Sequence, residues 1–271
     1  MSMPNSMILI GAGKMGGAML EGWLDLGLAA SAITVLDPYP SAAMKALCAA
    51  RGVRLNPPAA EVTAPEALLL AIKPQTFNAA ASEIAGMIAP HTLVVSIMAG
   101  KTIANIKQRL PATAVVRAMP NTPASVGRGV TAVAACPKVS PAQRENANSL
   151  LTAIGRIEWV DDEALIDAVT AVSGSGPAYV FLLAETLAKA GEAAGLPADL
   201  AARLARSTVE GAGELMFRDA ATAPGVLREN VTSPAGTTAA ALAVLMAPDG
   251  LQPLMTKAVA AAKRRSEELS G

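Results

Sequence analysis

The sequence predicts an α/β N-terminal domain followed by an all-α C-terminal domain in a chain of 271 residues. Three observations carry that prediction. Up to about Asp161, short apolar runs alternate with longer segments of helical character. The first of those runs leads directly into Gly11-Ala12-Gly13-Lys14-Met15-Gly16. After Asp161 the strand-like runs stop, and the chain becomes Ala-rich with helical punctuation. The length suits two modest domains, spanning 1–161 and 162–271.

The expected strands are Met7–Ile10, Ile33–Asp37, Ala67–Ile72, Leu93–Met98, Ala114–Ala118, Val130–Ala134 and Arg156–Val160. They are short and apolar on both faces, as buried parallel strands are. Helical segments such as Ser41–Arg51 and Asn78–Ile88 separate most of them. That alternation predicts βαβ units and a doubly wound parallel sheet. Asp161-Asp162-Glu163 then opens the helical part, with acids where a helix N-terminus favours them. Helices are expected over Glu163–Val172, Ala178–Ala194, Ala198–Arg218, Pro224–Val231 and Thr238–Met246, with a last one from Gly250. Ser173-Gly174-Ser175-Gly176-Pro177-Ala178-Tyr179 is expected to interrupt the first of these, since two glycines and a proline are costly inside a helix. Pro177 has no N–H to offer the carbonyl of Ser173, four residues earlier.

Hydrophobic residues make up 52% of the chain and charged ones 16%, which excludes disorder and allows a real core. Aromatics are only 3%, so that core is built of Ala, Leu, Val and Ile. The low charged share also points to apolar surface covered by another subunit. The formal net charge is zero, which provides no basic field for nucleic acid or an anionic membrane. No apolar run is expected to reach the ~18 residues of a membrane span. The apolar N-terminal stretch has no basic segment before it and reads as a strand, not a targeting signal. Cys48 and Cys136 stand apart and His91 is the single histidine, so no cluster has metal-ligand spacing. Unpaired cysteines fit a reduced, cytoplasmic setting.

Gly11 to Gly16 fits GxGxxG between a strand and a helix. Gly11 permits the tight turn, Gly13 lets backbone approach a pyrophosphate, and Gly16 lets the helix pack near the strand. The helix N-terminus then faces the anion. Asp37, at the end of the second strand, is either the acid that bonds the adenosine ribose or the opening of an Asp-Pro turn. Ala71-Ile72-Lys73-Pro74-Gln75 and Arg117-Ala118-Met119-Pro120-Asn121-Thr122-Pro123 both follow strands, at the edge where open α/β sheets bind ligands. Either is plain turn chemistry or part of a site, in which Asn121 and Thr122 offer hydrogen bonds to a nicotinamide or ribose. Further on, Ser233-Pro234-Ala235-Gly236-Thr237-Thr238 precedes an Ala/Leu-rich helix. Thr237 or Thr238 is the expected N-cap, and free amides near Gly236 and Thr237 suit a substrate carboxylate. None of these loops holds a histidine, and apart from Lys73 and Tyr179 no general acid is in view. A ring imine, which arrives protonated near neutral pH, would accept hydride without one.

Together GAGKMG at 11–16, AIKPQ at 71–75, VRAMPNTPA at 116–124, SGSGPAY at 173–179 and VTSPAGTTAAAL at 231–242 resemble the pyrroline-5-carboxylate reductase family over nearly the whole chain. The resemblance implies an α/β Rossmann-type N-terminal domain followed by an all-α C-terminal dimerisation domain. It implies NAD(P)H-dependent hydride transfer to the C=N bond of 1-pyrroline-5-carboxylate, giving L-proline in the last step of proline biosynthesis. It also implies homodimers with shared active sites, assembled in many members into homodecamers. By the resemblance, NADPH or NADH is held by Gly11, Ala12, Gly13, Lys14, Met15 and Gly16, by Asn56, by Ala71, Ile72, Lys73 and Pro74, by Met98 and Ala99, and by Met119, Pro120 and Asn121. The substrate carboxylate falls to Ser233, Pro234, Ala235, Gly236, Thr237 and Thr238 of the partner. Thr238 matches the threonine proposed to bond the ring nitrogen, and Ser173 lies in the segment beside that pocket. Two positions depart from the family pattern. Ala235 stands where Gly is more common, and Asp37 favours NADH beside the family's usual NADPH.

Two other readings compete. A two-domain reductase of the β-hydroxyacid dehydrogenase type would carry a lysine soon after the glycine-rich stretch, but here the first one after Gly176 is Lys189. A non-enzymatic NAD(P)H-sensing module would not need the second anion-binding loop at Thr232–Thr238.

Overall fold

The apolar runs of the first part form strands because both faces of their sheet are covered. The computed structural model describes residues 3–270. These form strands β1 (Met7–Ile10), β2 (Ile33–Leu36), β3 (Arg54–Leu55), β4 (Ala67–Leu70), β5 (Leu93–Ser96), β6 (Ala114–Met119), β7 (Gly129–Ala135) and β8 (Gly155–Trp159). Their spatial order is β3-β2-β1-β4-β5-β6-β7-β8. Helices α1 (Lys14–Asp25), α2 (Ala42–Arg51), α3 (Phe77–Ala85), α4 (Ile103–Arg109) and α5 (Pro141–Thr152) lie between strands. Alternate residues of a strand enter different cores. Met7, Leu9, Leu69 and Val95 join Met19, Leu20 and Trp23 of α1 and Leu150 of α5. Ile8, Leu68, Leu70 and Val94 join Phe77 and Ile84 of α3 and Ile106 of α4. A period of two with both phases apolar is what a doubly covered strand requires. Each fully buried aliphatic side chain contributes about 1.5–3 kcal/mol. The buried indole N–H of Trp23 donates to the carbonyl of Leu150 at 2.7 Å, so its burial leaves no polar atom unmet.

The sheet departs from the expected all-parallel plan at one place. β1 through β6 pair parallel, but β6 and β7 pair antiparallel. Only residues 120–128 separate those two strands, with a 3₁₀ turn at Thr122–Val126. A parallel crossover needs about a dozen residues or more. α5 then provides the crossover that makes β7 and β8 parallel. β3 lies outside the expected strands, and its two residues are too few to show a period.

An ion pair between a buried arginine and a half-buried glutamate ties this sheet to the segment after β8. Arg117, 3% exposed within β6, donates to Oε1 of Glu163 at 3.0 Å. The same oxygen accepts from the N–H of Ile103, the first residue of α4, at 2.8 Å.

After β8 come α6 (Leu165–Val169), a π-helical turn (Thr170–Gly174), α7 (Gly176–Ala193), α8 (Ala198–Arg218), α9 (Pro224–Asn230), α10 (Thr237–Leu245) and α11 (Leu251–Ser270). The expected interruption at 173–179 takes the form of a π-helical turn over Thr170–Gly174 and a bend at Ser175, after which α7 starts with a proline in its first turn. Helix runs on from Leu165 to Ala193, long and apolar enough by length and composition to cross a membrane. No apolar run of that length is expected from the sequence, and by length and composition this segment is one.

The residues up to Gly174, with those from Lys263 on, form one compact unit, and Ser175–Ala262 form another. The change of character read from the sequence at 161/162 comes earlier than this division. α6 stays with the first unit because Ile166 packs on Ala132 and Ala134 of β7. The extreme ends of the expected spans, 1 and 271, lie outside the described residues. Within the second unit α7 meets α8 through small residues, where a Cβ on Gly191 would lie 3.2 Å from that of Ala201. Ala201 and Ala205 are buried, but Phe181 is 69% exposed, and Leu182, Leu183, Leu204, Leu215 and Val244 are exposed with it.

Removing Glu163 would strand a buried guanidinium and the first N–H of α4. Glu163→Ala should cost about 3 kcal/mol, seen as a lower urea midpoint at unchanged m-value. A loss of less than about 1 kcal/mol would mean that the pair behaves as a surface bridge.

Candidate active site

The glycine turn is built from three different steric demands. Gly11, at φ +87°, donates its N–H to Leu36 at 2.8 Å, and a Cβ there would stand 2.9 Å from the carbonyl oxygen of Ala71. Gly16 lies so close to the turn that a Cβ would come within 2.3 Å of the oxygen of Gly11. Gly13 is the opposite case. It is the N-cap of α1, makes no side-chain cap, and an added Cβ meets nothing within 4 Å. The first N–H groups of α1 have no helical acceptor, so an anion fits where that Cβ would stand.

At the tip of β2, Asp37 plays both of the parts open to it in the sequence. Its Oδ1 accepts from the N–H of Tyr39 at 2.8 Å, which is turn chemistry. Its Oδ2 accepts from the N–H of Ala12 at 2.7 Å, which ties the glycine turn to β2. A carboxylate has about four lone-pair sites, so acceptor capacity remains for a ligand hydroxyl. Asn56, at φ +48°, brackets the same residue. It accepts from the N–H of Asp37 at 2.9 Å and donates to its carbonyl at 2.7 Å. Two hollows flank Asp37. One, of about 440 Å³, has an apolar wall including Ile10, Leu36, Val62 and Ile72, with Asn56 and Tyr39 at its margin. The other, of about 560 Å³, is lined by Ala12, Gly13, Lys14, Tyr39 and Ser41. Tyr39, a residue the sequence motifs do not include, lines both and is 91% exposed. An aromatic placed just after a strand-end turn, in a chain with so few, is the signal that could have found it.

The next strand ends complete this edge. The N–H of Ala71 bonds to Ile10 and its carbonyl lies under Gly11, while Lys73 leads into a 3₁₀ turn at Pro74–Thr76. Met98 is buried in the core, with its N–H on the hydroxyl of Ser96, and Ala99 is exposed beside it. Met119 ends β6, followed by buried Pro120 and Asn121. Asn121, which the sequence offers as a hydrogen-bonding partner for a nicotinamide or ribose, has its side chain engaged within the chain. Its Oδ1 accepts from the N–H of Val130 at 3.0 Å, and its Nδ2 donates to the carbonyl of Ser173 at 3.1 Å. The Ser173 hydroxyl donates to the carbonyl of Val169 at 3.1 Å. Burial holds the Cys48 thiol above its usual pKa, which leaves it a neutral packing group in α2.

Within the second unit, Ser233-Pro234-Ala235-Gly236 forms a turn closed by the N–H of Gly236 on the carbonyl of Ser233 at 3.0 Å. Ala235 sits at φ +58°. Pro followed by a positive φ is the type II pattern, which wants Gly at that second position. The N-cap of α10 is Gly236, with no side-chain cap, and Thr237 and Thr238 fall inside the first turn. This corrects the expected threonine cap. The turn already uses the Gly236 N–H, so the amides without a helical acceptor begin at Thr237.

The description "Pyrroline-5-carboxylate reductase dimerisation" matches residues 163–269, and "NADP oxidoreductase coenzyme F420-dependent" matches residues 6–100. The chain is 47% identical to a pyrroline-5-carboxylate reductase of Synechocystis over 79% of its length and 78% of the relative's. It is 41% identical to that of Pseudomonas aeruginosa, covering 100% of this chain and 98% of the relative. The solved pyrroline-5-carboxylate reductase of Coxiella burnetii superposes with a TM-score of 0.91 at 33% identity, covering 100% of both chains.

Gly13→Val should cost about 1 kcal/mol at most yet abolish binding of reduced dinucleotide in a fluorescence titration. Gly16→Ala should cost about 2–3 kcal/mol in folding. Binding by Gly13→Val as tight as in the parent would reject the anion cradle. Ala235→Gly removes about 1 kcal/mol of left-handed strain and returns part of it as chain entropy. A small rise in melting temperature is expected, and a fall would show that the methyl group contributes packing.

Proposed function

The chain belongs to the pyrroline-5-carboxylate reductase family, and we propose that the carboxyl edge of its sheet holds the reduced dinucleotide while the 233–238 turn of a second copy holds the substrate carboxylate. It is an NAD(P)H-dependent oxidoreductase that reduces the C=N bond of 1-pyrroline-5-carboxylate to give L-proline, the last step of proline biosynthesis.

The observation that carries the cofactor half is the glycine turn, with Gly13 open in front of the first amides of α1 and Gly11 and Gly16 tight behind it. When bound, the reduced nicotinamide supplies the hydride. Ala12, Lys14 and Met15 frame the pyrophosphate, with Ala71 to Pro74, Met98, Ala99, Met119 and Pro120 along the same edge. The apolar hollow beside Asp37 takes the adenine, and the exposed ring of Tyr39 has room to stack on it. Asp37, held by two N–H groups, cannot swing away from the ribose. Its charge favours a 2′-hydroxyl over a 2′-phosphate, so NADH is accepted alongside NADPH.

For the substrate half, the amides at the start of α10 face the carboxylate. The substrate ring nitrogen arrives protonated and needs an acceptor, not an acid. The hydroxyl of Thr238 supplies one. Ser173, its proton committed to Val169, can only accept and completes the polar wall. This accounts for a reductase without a histidine in any site loop.

The exposed apolar side chains of α7 and α8 border a groove of about 640 Å³ lined by Val180, Phe181, Ala184, Ala188 and Val209. A second copy, not lipid, covers it in this reading, giving a cytoplasmic homodimer that assembles further into decamers and engages no nucleic acid.

Purified protein should consume NADPH with 1-pyrroline-5-carboxylate, read as absorbance loss, and should show measurable turnover with NADH. Tight dinucleotide binding without turnover would favour a sensing module instead. Activity with NADPH alone would reject the role given to Asp37.

A further inference from the structure

We propose that Asn121 is a positioning residue for this reaction: its side-chain amide stands in for the helical N–H that Pro177 lacks and fixes the π turn that carries Ser173. The inference rests on the reading of Ser173 as part of the active-site wall.

In a regular helix the carbonyl of Ser173 would accept from residue 177, where proline has no N–H. The next residue does not replace it, because the N–H of Ala178 bonds to Ser175 at 3.0 Å. A half-buried carbonyl left unpaired is costly. Nδ2 of Asn121 meets it at 3.1 Å, from 52 residues away in sequence. The orientation of the amide is fixed by chemistry. The N–H of Val130 can only donate, so Oδ1 faces it, and the Ser173 carbonyl can only accept, so Nδ2 faces that. Turning the amide over would oppose donor to donor and acceptor to acceptor. Asn121 is only 8% exposed.

Packing holds the same pair of segments together. A Cβ on Gly174 would lie 3.1 Å from Cε of Met119, so the turn rests against the end of β6 two residues before Asn121. Within the turn, hydroxyls bond back to carbonyls four residues earlier, Thr170 to Ile166 at 2.7 Å and Ser173 to Val169 at 3.1 Å. Such back-bonding helps to open a helix locally, and π turns recur at functional sites. The 119–121 loop thus sets where Ser173 stands.

Asn121→Asp keeps the shape and the acceptor for Val130 but sets an oxygen against the Ser173 carbonyl, and Asn121→Ala removes both bonds. In each, kcat should fall about 10- to 100-fold with the NADPH dissociation constant unchanged. Amides of residues 170–178 should exchange hydrogen faster, with exchange elsewhere in the sheet unaltered. Pro177→Ala restores an N–H, so Asn121→Ala should lose less in that background than in the parent. A weaker NADPH affinity with kcat preserved at saturation would make Asn121 a direct cofactor ligand and overturn the proposal. Additive losses in the double variant, or unchanged exchange at 170–178, would overturn it too. A parent enzyme inactive on 1-pyrroline-5-carboxylate would reject the proposed reaction and not the lock, which the exchange rates decide alone.

Discussion

Residues 175–262 cannot cover their own apolar side chains, and much of the molecule's character depends on that constraint. α7 and α8 meet through Gly191 and Ala201, which brings the helices close but turns Phe181, Leu182 and Leu183 outward. Exposing such a set to water would forfeit the main favourable term of folding. The same surface explains three separate features of the chain: the low charged fraction, a helix apolar enough to resemble a membrane span, and a match to a dimerisation family over 163–269.

The first unit solves the opposite problem. Its sheet is covered on both faces, so the free valences gather at the carboxyl edge, where strand ends and loops meet. Side chains there tie one loop to another. Asp37 binds the glycine turn to the tip of β2, Asn56 brackets Asp37, and Asn121 joins the loop after β6 to the π turn. Each uses local main-chain groups that would otherwise lack partners. Such ties restrict the loops before any ligand arrives, which is what preorganisation for a hydride transfer demands.

Much of this was legible in the sequence, for physical reasons that differ by element. Most of the strands were visible because both phases were apolar and Gly or Pro bounded them, while β8 alternates, with Arg156 and Glu158 on its exposed phase. The glycine turn was visible because its three glycines fall at a fixed short spacing between a strand and a helix. The reversal of β7 was legible only through loop length, since antiparallel and parallel strands share a pattern when both faces are buried. The π turn was hidden because the local cost of Gly-Ser-Gly-Pro is offset by Asn121, 52 residues from Ser173. The Ala12–Asp37 bond, 25 residues apart, was hidden in the same way. The expected threonine cap of α10 failed because the preceding turn hands the capping position to Gly236.

The reversal of β7 has an electrical side. A parallel sheet is polar: at its carboxyl edge every strand finishes on a carbonyl, and that edge is rich in acceptors. β7 enters there amino end first. It therefore places a main-chain donor, the N–H of Val130, beside the carboxyl end of β6. A side-chain amide in such a place can settle in one direction only.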